Sequence, residues 1–227
     1  MQDQDGYELN VYKLMRSKLF DGFSMLEVSS VIDDLPHRIE SYHNKETIVP
    51  QGDLLTKIGI ILRGSVTTSK LFDDSSYAAR HYKQNDMIGL FIANSKTQIS
   101  PYLFVARDEC DILWFEWDII LCTIMQGEFS PWHKKLFSNI FAIGADDFIR
   151  EEVKVEVRGQ RNVRNKIMRF LMEMADKQKS NTFNLNMSQL EFAEYLCIGR
   201  PTLNIELGKL REEGIIDYNK KIYTILK

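Results

Sequence analysis

Three cysteines in 227 residues, Cys110, Cys122 and Cys197, are a meagre supply. They stand too far apart for a Cys-x-x-Cys site, and an odd number leaves one without a disulfide partner. Each is expected to be reduced, buried filler. No run of 18 apolar residues occurs, which argues against a membrane-spanning helix. The first ten residues, MQDQDGYELN, are acidic and lead into no apolar stretch, so no secretory leader is read there and a cytoplasmic location is expected. The four histidines, His37, His43, His81 and His133, have no metal-ligand spacing. Carboxylate pairs, a nucleophile with its base and a Walker-type loop are also missing, so neither an enzyme nor a metal or cofactor site is expected.

Net charge at pH 7 is −3, which argues against a nucleic-acid partner until its distribution is considered. Residues 1–157 hold 16 Lys and Arg against 24 Asp and Glu, whereas residues 158–227 hold 13 against 8. Only the C-terminal third is basic, as expected of a phosphate-contacting module joined to an acidic partner domain. Arg158, Arg161, Arg164, Lys166 and Arg169 supply much of that charge, and a solvated helix face is the plainer account of such a run.

From the start, residues 7–34 suit one or two amphipathic helices anchored by Leu9, Leu14, Leu19, Leu26 and Ile32, with a break at Asp21-Gly22. From about Ile39 the apolar period shortens to two. Strands are expected at 46–49, 57–62, 65–72, 78–82, 102–107 and 112–115, with Met87 to Phe91 as a further apolar stretch. Gly and Asp turns at roughly ten-residue spacing separate them, which describes an antiparallel double-sheet roll able to enclose a small ligand.

From Pro131 the pattern turns helical. Leu136, Ile140, Ile143, Phe148 and Val155 recur at intervals of three, four and seven over about 25 residues, suggesting a dimer seam; packing back onto the roll is the alternative. Gly144 would permit close approach or bending. The segment 162–177 is the next helix, with Ile167, Phe170, Leu171 and Met174 facing inward.

Ser188 followed by Glu191 has the spacing of a capping box, so a short helix begins there with Leu190, Ala193 and Leu196 as its buried face. After Cys197-Ile198-Gly199 a second helix opens at Arg200-Pro201, carries Leu203, Leu207 and Leu210 on one face, and stops at Gly214. A hairpin through Asn219-Lys220-Lys221 follows. Two short helices, a tight turn and a hairpin form a winged helix-turn-helix, whose second helix enters a DNA major groove. A small helical domain used for structure or protein docking is the alternative.

In the roll, Gly52-Asp53, Ile60-Ile61-Leu62-Arg63-Gly64-Ser65-Val66 and Asn85-Asp86-Met87-Ile88-Gly89 resemble the three glycine-bearing turns of the cyclic-nucleotide-binding fold. Ser188-Gln189, Ala193-Glu194, Arg200-Pro201-Thr202-Leu203 and Leu210-Arg211-Glu212-Glu213-Gly214-Ile215-Ile216 resemble the DNA-binding signature of the bacterial Crp/Fnr regulators. The resemblance covers nearly the whole chain and implies an α+β fold: an antiparallel double-stranded β-roll (jelly roll) with flanking helices, a long dimerisation helix and a C-terminal winged helix-turn-helix. The expected domains are 1–130 for the N-terminal helices and effector-sensing roll, 131–157 for the dimerisation helix, and 158–227 for DNA binding.

By that resemblance Arg200, Thr202, Asn204 and Ile205 are the base-contacting residues, and Ser188, Gln189, Lys209, Lys220 and Lys221 contact the DNA backbone. The family usually has Arg where this chain has Ile205, which would instead touch a thymine methyl or simply pack. Members that bind cyclic AMP carry Glu after the third glycine and an Arg-Ser or Arg-Thr pair some ten residues on. Here the positions hold Leu90 and Ser100-Pro101, and a buried phosphate without its Arg is poorly compensated. With no cysteine before Cys110, an iron–sulfur cluster of the oxygen-sensing kind is not expected, and the haem-based carbon monoxide sensors are no closer.

Gly89, Leu90, Phe91, Ser100, Tyr102 and Phe104 would then form an effector pocket suited to a small uncharged or aromatic molecule; ordinary roll core, and action without any effector, are the alternatives. The expected partners are double-stranded DNA with a two-fold symmetric operator, a second copy of the chain and, for an activator, RNA polymerase. A protein-interaction module that keeps the shape but reads no DNA is the competing function.

Overall fold

The structure is a computed structural model that describes residues 11–72, 75–126 and 131–227. Two compact units divide the chain, Met1–Asp146 and Asp147–Lys227. The first contains α1 (Val11–Leu14), a 3-10 turn (Lys18–Phe20), α2 (Met25–Asp34), β1 (His37–Tyr42), β2 (Thr47–Val49), β3 (Lys57–Arg63), β4 (Val66–Phe72) and β5 (Ser75–Tyr82). It continues through β6 (Met87–Ile88), α3 (Leu90–Ala93), β7 (Leu103–Ala106), β8 (Cys110–Glu116), α4 (Trp117–Gln126) and the start of α5 (Pro131–Arg158). Two four-stranded antiparallel sheets, β1-β8-β3-β6 and β2-β7-β4-β5, make the roll.

β8 is buried on both faces, which explains its unbroken apolar run. Ile112 and Trp114 pack between the sheets with Ile61, Val66 and Phe104. Leu113 and Phe115 face the other way, into a core with Ile58, Ile60, α2 and the first turns of α5. Two glycine turns are sterically fixed. Gly64 has φ +81°, and a Cβ there would stand 2.5 Å from the Glu109 carbonyl; Gly89 has φ +87°, and its Cβ would meet the Lys57 carbonyl at 2.6 Å.

Some expectations change. Leu9 lies outside the described residues. Leu14, Leu19 and Ile32 are buried, but Leu26 is 81% exposed because α2 turns Val28, Val31 and Ile32 inward. Ser24 and Glu27 form a capping box at the start of α2 that the periodicity reading missed. The apolar stretch 87–91 breaks at Gly89, whose left-handed backbone ends β6 and opens α3. Asp73 and Asp74, between two of the expected strands, lie outside the described residues, and α4 was not anticipated. Of the cysteines only Cys110 is buried, and burial pushes its thiol up to about 11; Cys122 and Cys197 are exposed. No helix among the described residues is long and apolar enough to cross a membrane.

The helix beginning at Pro131 runs 28 residues. In the first unit Trp132, Leu136 and Ile140 are buried on the roll side, while Phe137 and Phe141 are exposed. In the second unit Val157 is buried and Phe148, Ile149 and Val155 are exposed. A Cβ on Gly144 would meet nothing within 4 Å.

The second unit adds α6 (Val163–Gln178), β9 (Thr182–Asn184), α7 (Gln189–Leu196), α8 (Arg200–Glu212), β10 (Ile216–Asn219) and β11 (Ile222–Ile225). The wing hairpin pairs β10 with β11, and β9, absent from the sequence reading, pairs with β11. Ile167, Phe170 and Leu171 of α6 join the core as expected, with Met174 partly buried against it.

Candidate nucleic-acid interface

The Ser188 side chain accepts the Glu191 amide at 3.2 Å, and the Glu191 carboxylate accepts the Ser188 amide at 2.6 Å. Two donors at the start of α7 are thereby satisfied. The buried face of α7 is Phe192, Ala193 and Leu196, not Leu190, which is 52% exposed. Phe192 sits 4.8 Å from the Phe170 ring and fixes the rotation; at 3.6 residues per turn Leu190 falls about 200° away from it.

The turn is made by Cys197 in the left-handed region, with its amide bonded back to Ala193 and Glu194. Gly199 then caps α8 without a side-chain acceptor, leaving the first amides of α8 unclaimed by the cap. Such a helix start attracts phosphate oxygens.

Leu203, Leu207 and Leu210 are fully buried and form the keel of α8. Arg200, Thr202, Asn204 and Ile205, the predicted base readers, are all exposed on the same helix. Ile205 is 62% exposed and makes no core packing, which removes that alternative within the chain. One turn on, a Cβ at Gly208 would meet nothing within 4 Å, so the surface beside Ile205 is low.

The predicted backbone contacts fall into two groups. Lys220 and Lys221 are exposed at the wing tip and form no ion pair among the described residues. Lys209 lies 3.6 Å from Glu206, and Gln189 is half-buried beside the Tyr223 hydroxyl, whose pKa burial pushes up to about 12. Ser188 is engaged as a cap, but as an acceptor, so its hydroxyl proton is still available to a phosphate.

The basic run is largely spent inside the unit. Arg158 donates to the Tyr195 carbonyl at 2.9 Å, Arg169 pairs with Glu156 at 2.9 Å, and Arg164 grips Glu213 through both of its terminal nitrogens. That pairing holds the Glu213 carboxyl below its ordinary value and raises Arg164. Arg161 and Lys166 form no ion pair among the described residues.

The predicted effector residues do not all share one site: Ser100, Tyr102 and Phe104 lie together, and Leu90 and Phe91 stand apart from them. Leu90 packs in the core on the helix side of the roll, Phe104 packs between the sheets, and Phe91 is exposed. Ser100 is buried with its hydroxyl donating to the Tyr102 carbonyl at 2.6 Å, so it has no proton left for a ligand. At Gly89 the left-handed backbone ends β6 and opens α3, which carries Leu90 and Phe91. A cavity that the sequence did not reveal is lined instead by Pro36, His37, Arg38, Lys57, Trp114 and Glu116.

The chain carries a double-sheet roll followed by a winged helix-turn-helix. Residues 165–227 match the family model of the Crp-like helix-turn-helix domain. No curated protein sequence matches the chain. Among solved structures it is similar to FixK2 from Bradyrhizobium japonicum, at 15% identity over 85% of this chain and 94% of that one, TM-score 0.57. It is similar to the c-di-GMP responsive global regulator CLP of Xanthomonas campestris, at 15% identity over 90% and 100%, TM-score 0.62. A CooA mutant from Carboxydothermus hydrogenoformans gives 14% identity over 97% and 93%, TM-score 0.60. The chain has the architecture of the Crp/Fnr helix-turn-helix regulators.

Proposed function

We propose that the protein is a homodimeric, sequence-specific DNA-binding transcription regulator of the Crp/Fnr type, acting in the cytoplasm, whose effector is not cyclic AMP. The observation that carries this reading is α8: a fully buried leucine keel with Arg200, Thr202, Asn204 and Ile205 exposed around it. A helix set this way presents donors and an apolar tip to base edges.

Dimerisation is supported by α5. Phe137, Phe141, Phe148 and Val155 are exposed, and their spacing of four, seven and seven is that of a coiled-coil seam with Gly144 on the same stripe. Two copies would present two recognition helices to a two-fold operator. Against cyclic AMP, the position after Gly89 is a buried leucine in an apolar core, and an exposed proline follows Ser100. Neither supplies the charge a ribose and a cyclic phosphate need.

Fluorescence anisotropy against a two-fold symmetric duplex from the upstream region of its own gene tests the reading. Arg200→Ala is expected to weaken specific binding by roughly 1 to 3 kcal/mol, and the specific complex to weaken steeply with salt. Equal binding of wild type and variant to operator and random duplex would overturn it, in favour of a protein-interaction module.

A further inference from the structure

Gly208 lies in the interior of α8, where a glycine weakens a helix relative to alanine. Nothing within the chain calls for it. Its backbone is not left-handed, the helix continues past it to Glu212, and a Cβ on it would meet nothing within 4 Å among the described residues. Gly64 and Gly89 are the contrast, since each has a positive φ and a Cβ there would strike a carbonyl. Whatever Gly208 serves, it is not packing within the chain.

Helix geometry says which way it faces. At about 3.6 residues per turn, Leu203, Leu207 and Leu210 fall within about 60° of one another, and Pro201, Ile205 and Gly208 within about 60° on the opposite side. Pro201 and Ile205 are exposed, and the exposed Asn204 and Thr202 flank the stripe they make with Gly208. From Pro201 to Gly208 the outermost line of the helix is therefore short and carries no hydrogen-bonding side chain. The polar groups stand to either side of it.

Such a stripe is sensitive to depth. The major groove of B-DNA is about 12 Å wide and an α-helix with its side chains about 10 to 12 Å across, so the leading side chains set how far the helix sinks. An arginine reaches base edges from a helix held high. Isoleucine is short, and its natural base partner is the C5 methyl of thymine, which it must touch at van der Waals distance. One turn beyond Ile205, on the same stripe, a side chain at 208 would hold the helix up, and a glycine lets it down.

We propose that Gly208 is a positioning residue of the specific complex: the bare backbone there seats α8 deep enough for Ile205 to pack against a thymine methyl. This rests on the DNA-binding reading. It adds to that reading the residue that sets the depth of the helix and, through Ile205, the demand for thymine.

The test uses the 227-residue chain and a two-fold symmetric duplex that wild type selects from a randomised library. Gly208→Ala adds one methyl group to open space, so its unfolding temperature is expected to equal or exceed that of wild type. By fluorescence anisotropy its affinity for the selected duplex is expected to fall about tenfold, the scale of one mismatched base pair, with no change on random duplex. Each half-site thymine is then replaced in turn by deoxyuracil, which removes the C5 methyl alone. Wild type is expected to lose about fourfold at one thymine, as for one buried methyl-sized group. Gly208→Ala and Ile205→Ala are both expected to be indifferent to that same replacement. A wild type that selects no duplex over random sequence would overturn the DNA-binding reading and this inference with it. Where wild type does select one, the inference alone is overturned by any of three results: Gly208→Ala binds that duplex equally well, wild type ignores deoxyuracil at every thymine, or Gly208→Ala keeps the wild-type loss.

Discussion

The Ser188 hydroxyl oxygen accepts the amide of Glu191 at 3.2 Å, so the residue that starts the first helix of the helix-turn-helix uses its lone pair for folding and keeps its proton. Two substitutions separate these uses. Ser188→Ala removes both and is expected to cost about 1 kcal/mol of stability as well as operator affinity. Ser188→Asp keeps a good cap but sets a negative charge against phosphate. Its urea midpoint should stay near wild type while operator binding falls; an Asp variant that binds as well as wild type would remove Ser188 from the interface.

The exposed phenylalanines of α5 predict the assembly. Phe141 and Phe148 are 71% and 63% exposed in the single chain, so replacing both by Glu removes no core packing. Sedimentation equilibrium is expected to give the 26.5 kDa of one chain for the double variant and twice that for wild type. Far-UV circular dichroism should be unchanged. A variant that still sediments as a dimer would place the seam elsewhere.

Acid stability should depend on Glu27. Lys135 donates to both of its carboxylate oxygens, at 2.7 and 2.9 Å, and the Ser24 amide donates at 2.8 Å. Led by the Lys135 bond, these hold the carboxyl down at about 2, against an ordinary 4.5. Below its ordinary value the unfolded chain takes up a proton that the folded chain refuses, so this contribution is full above about pH 4.5 and lost as pH falls towards 2. The stability difference between wild type and Glu27→Gln, from urea unfolding, is expected to be flat near neutrality and to shrink across that window. A difference that grows on acidification would contradict it.

Local signals were the legible ones. The turns at Gly52 and Gly64, the Ser188–Glu191 box and the Leu203, Leu207, Leu210 stripe each depend on residues close in sequence, and all were readable. What escaped depends on distant partners. Leu190 and Phe192 both suit a buried helix face, and only the Phe170 ring on another helix decides between them. Leu90 and Phe104 look like neighbours in one pocket until the turn at Gly89 sends them to opposite faces of a sheet. The cavity over Trp114 exists only through the register of β1 and β3 on β8, and nothing local marks Arg38 or Lys57 as its lining.

Ile205 is where the operator should differ from that of proteins with Arg at this place. The side chain is 62% exposed, two residues from the buried Leu203, and points away from the keel with low ground at Gly208 beside it. Ile205→Arg should therefore leave stability within about 0.5 kcal/mol of wild type, as for surface changes elsewhere. An arginine here can donate two hydrogen bonds to guanine O6 and N7, a contact worth about 1 to 3 kcal/mol of discrimination. Selection from an operator library randomised at each half-site position, followed by anisotropy on the winners, reads the outcome. Wild type should favour thymine or be indifferent at one position where the variant demands guanine. Identical preferences for both proteins at every position would mean that Ile205 faces no base.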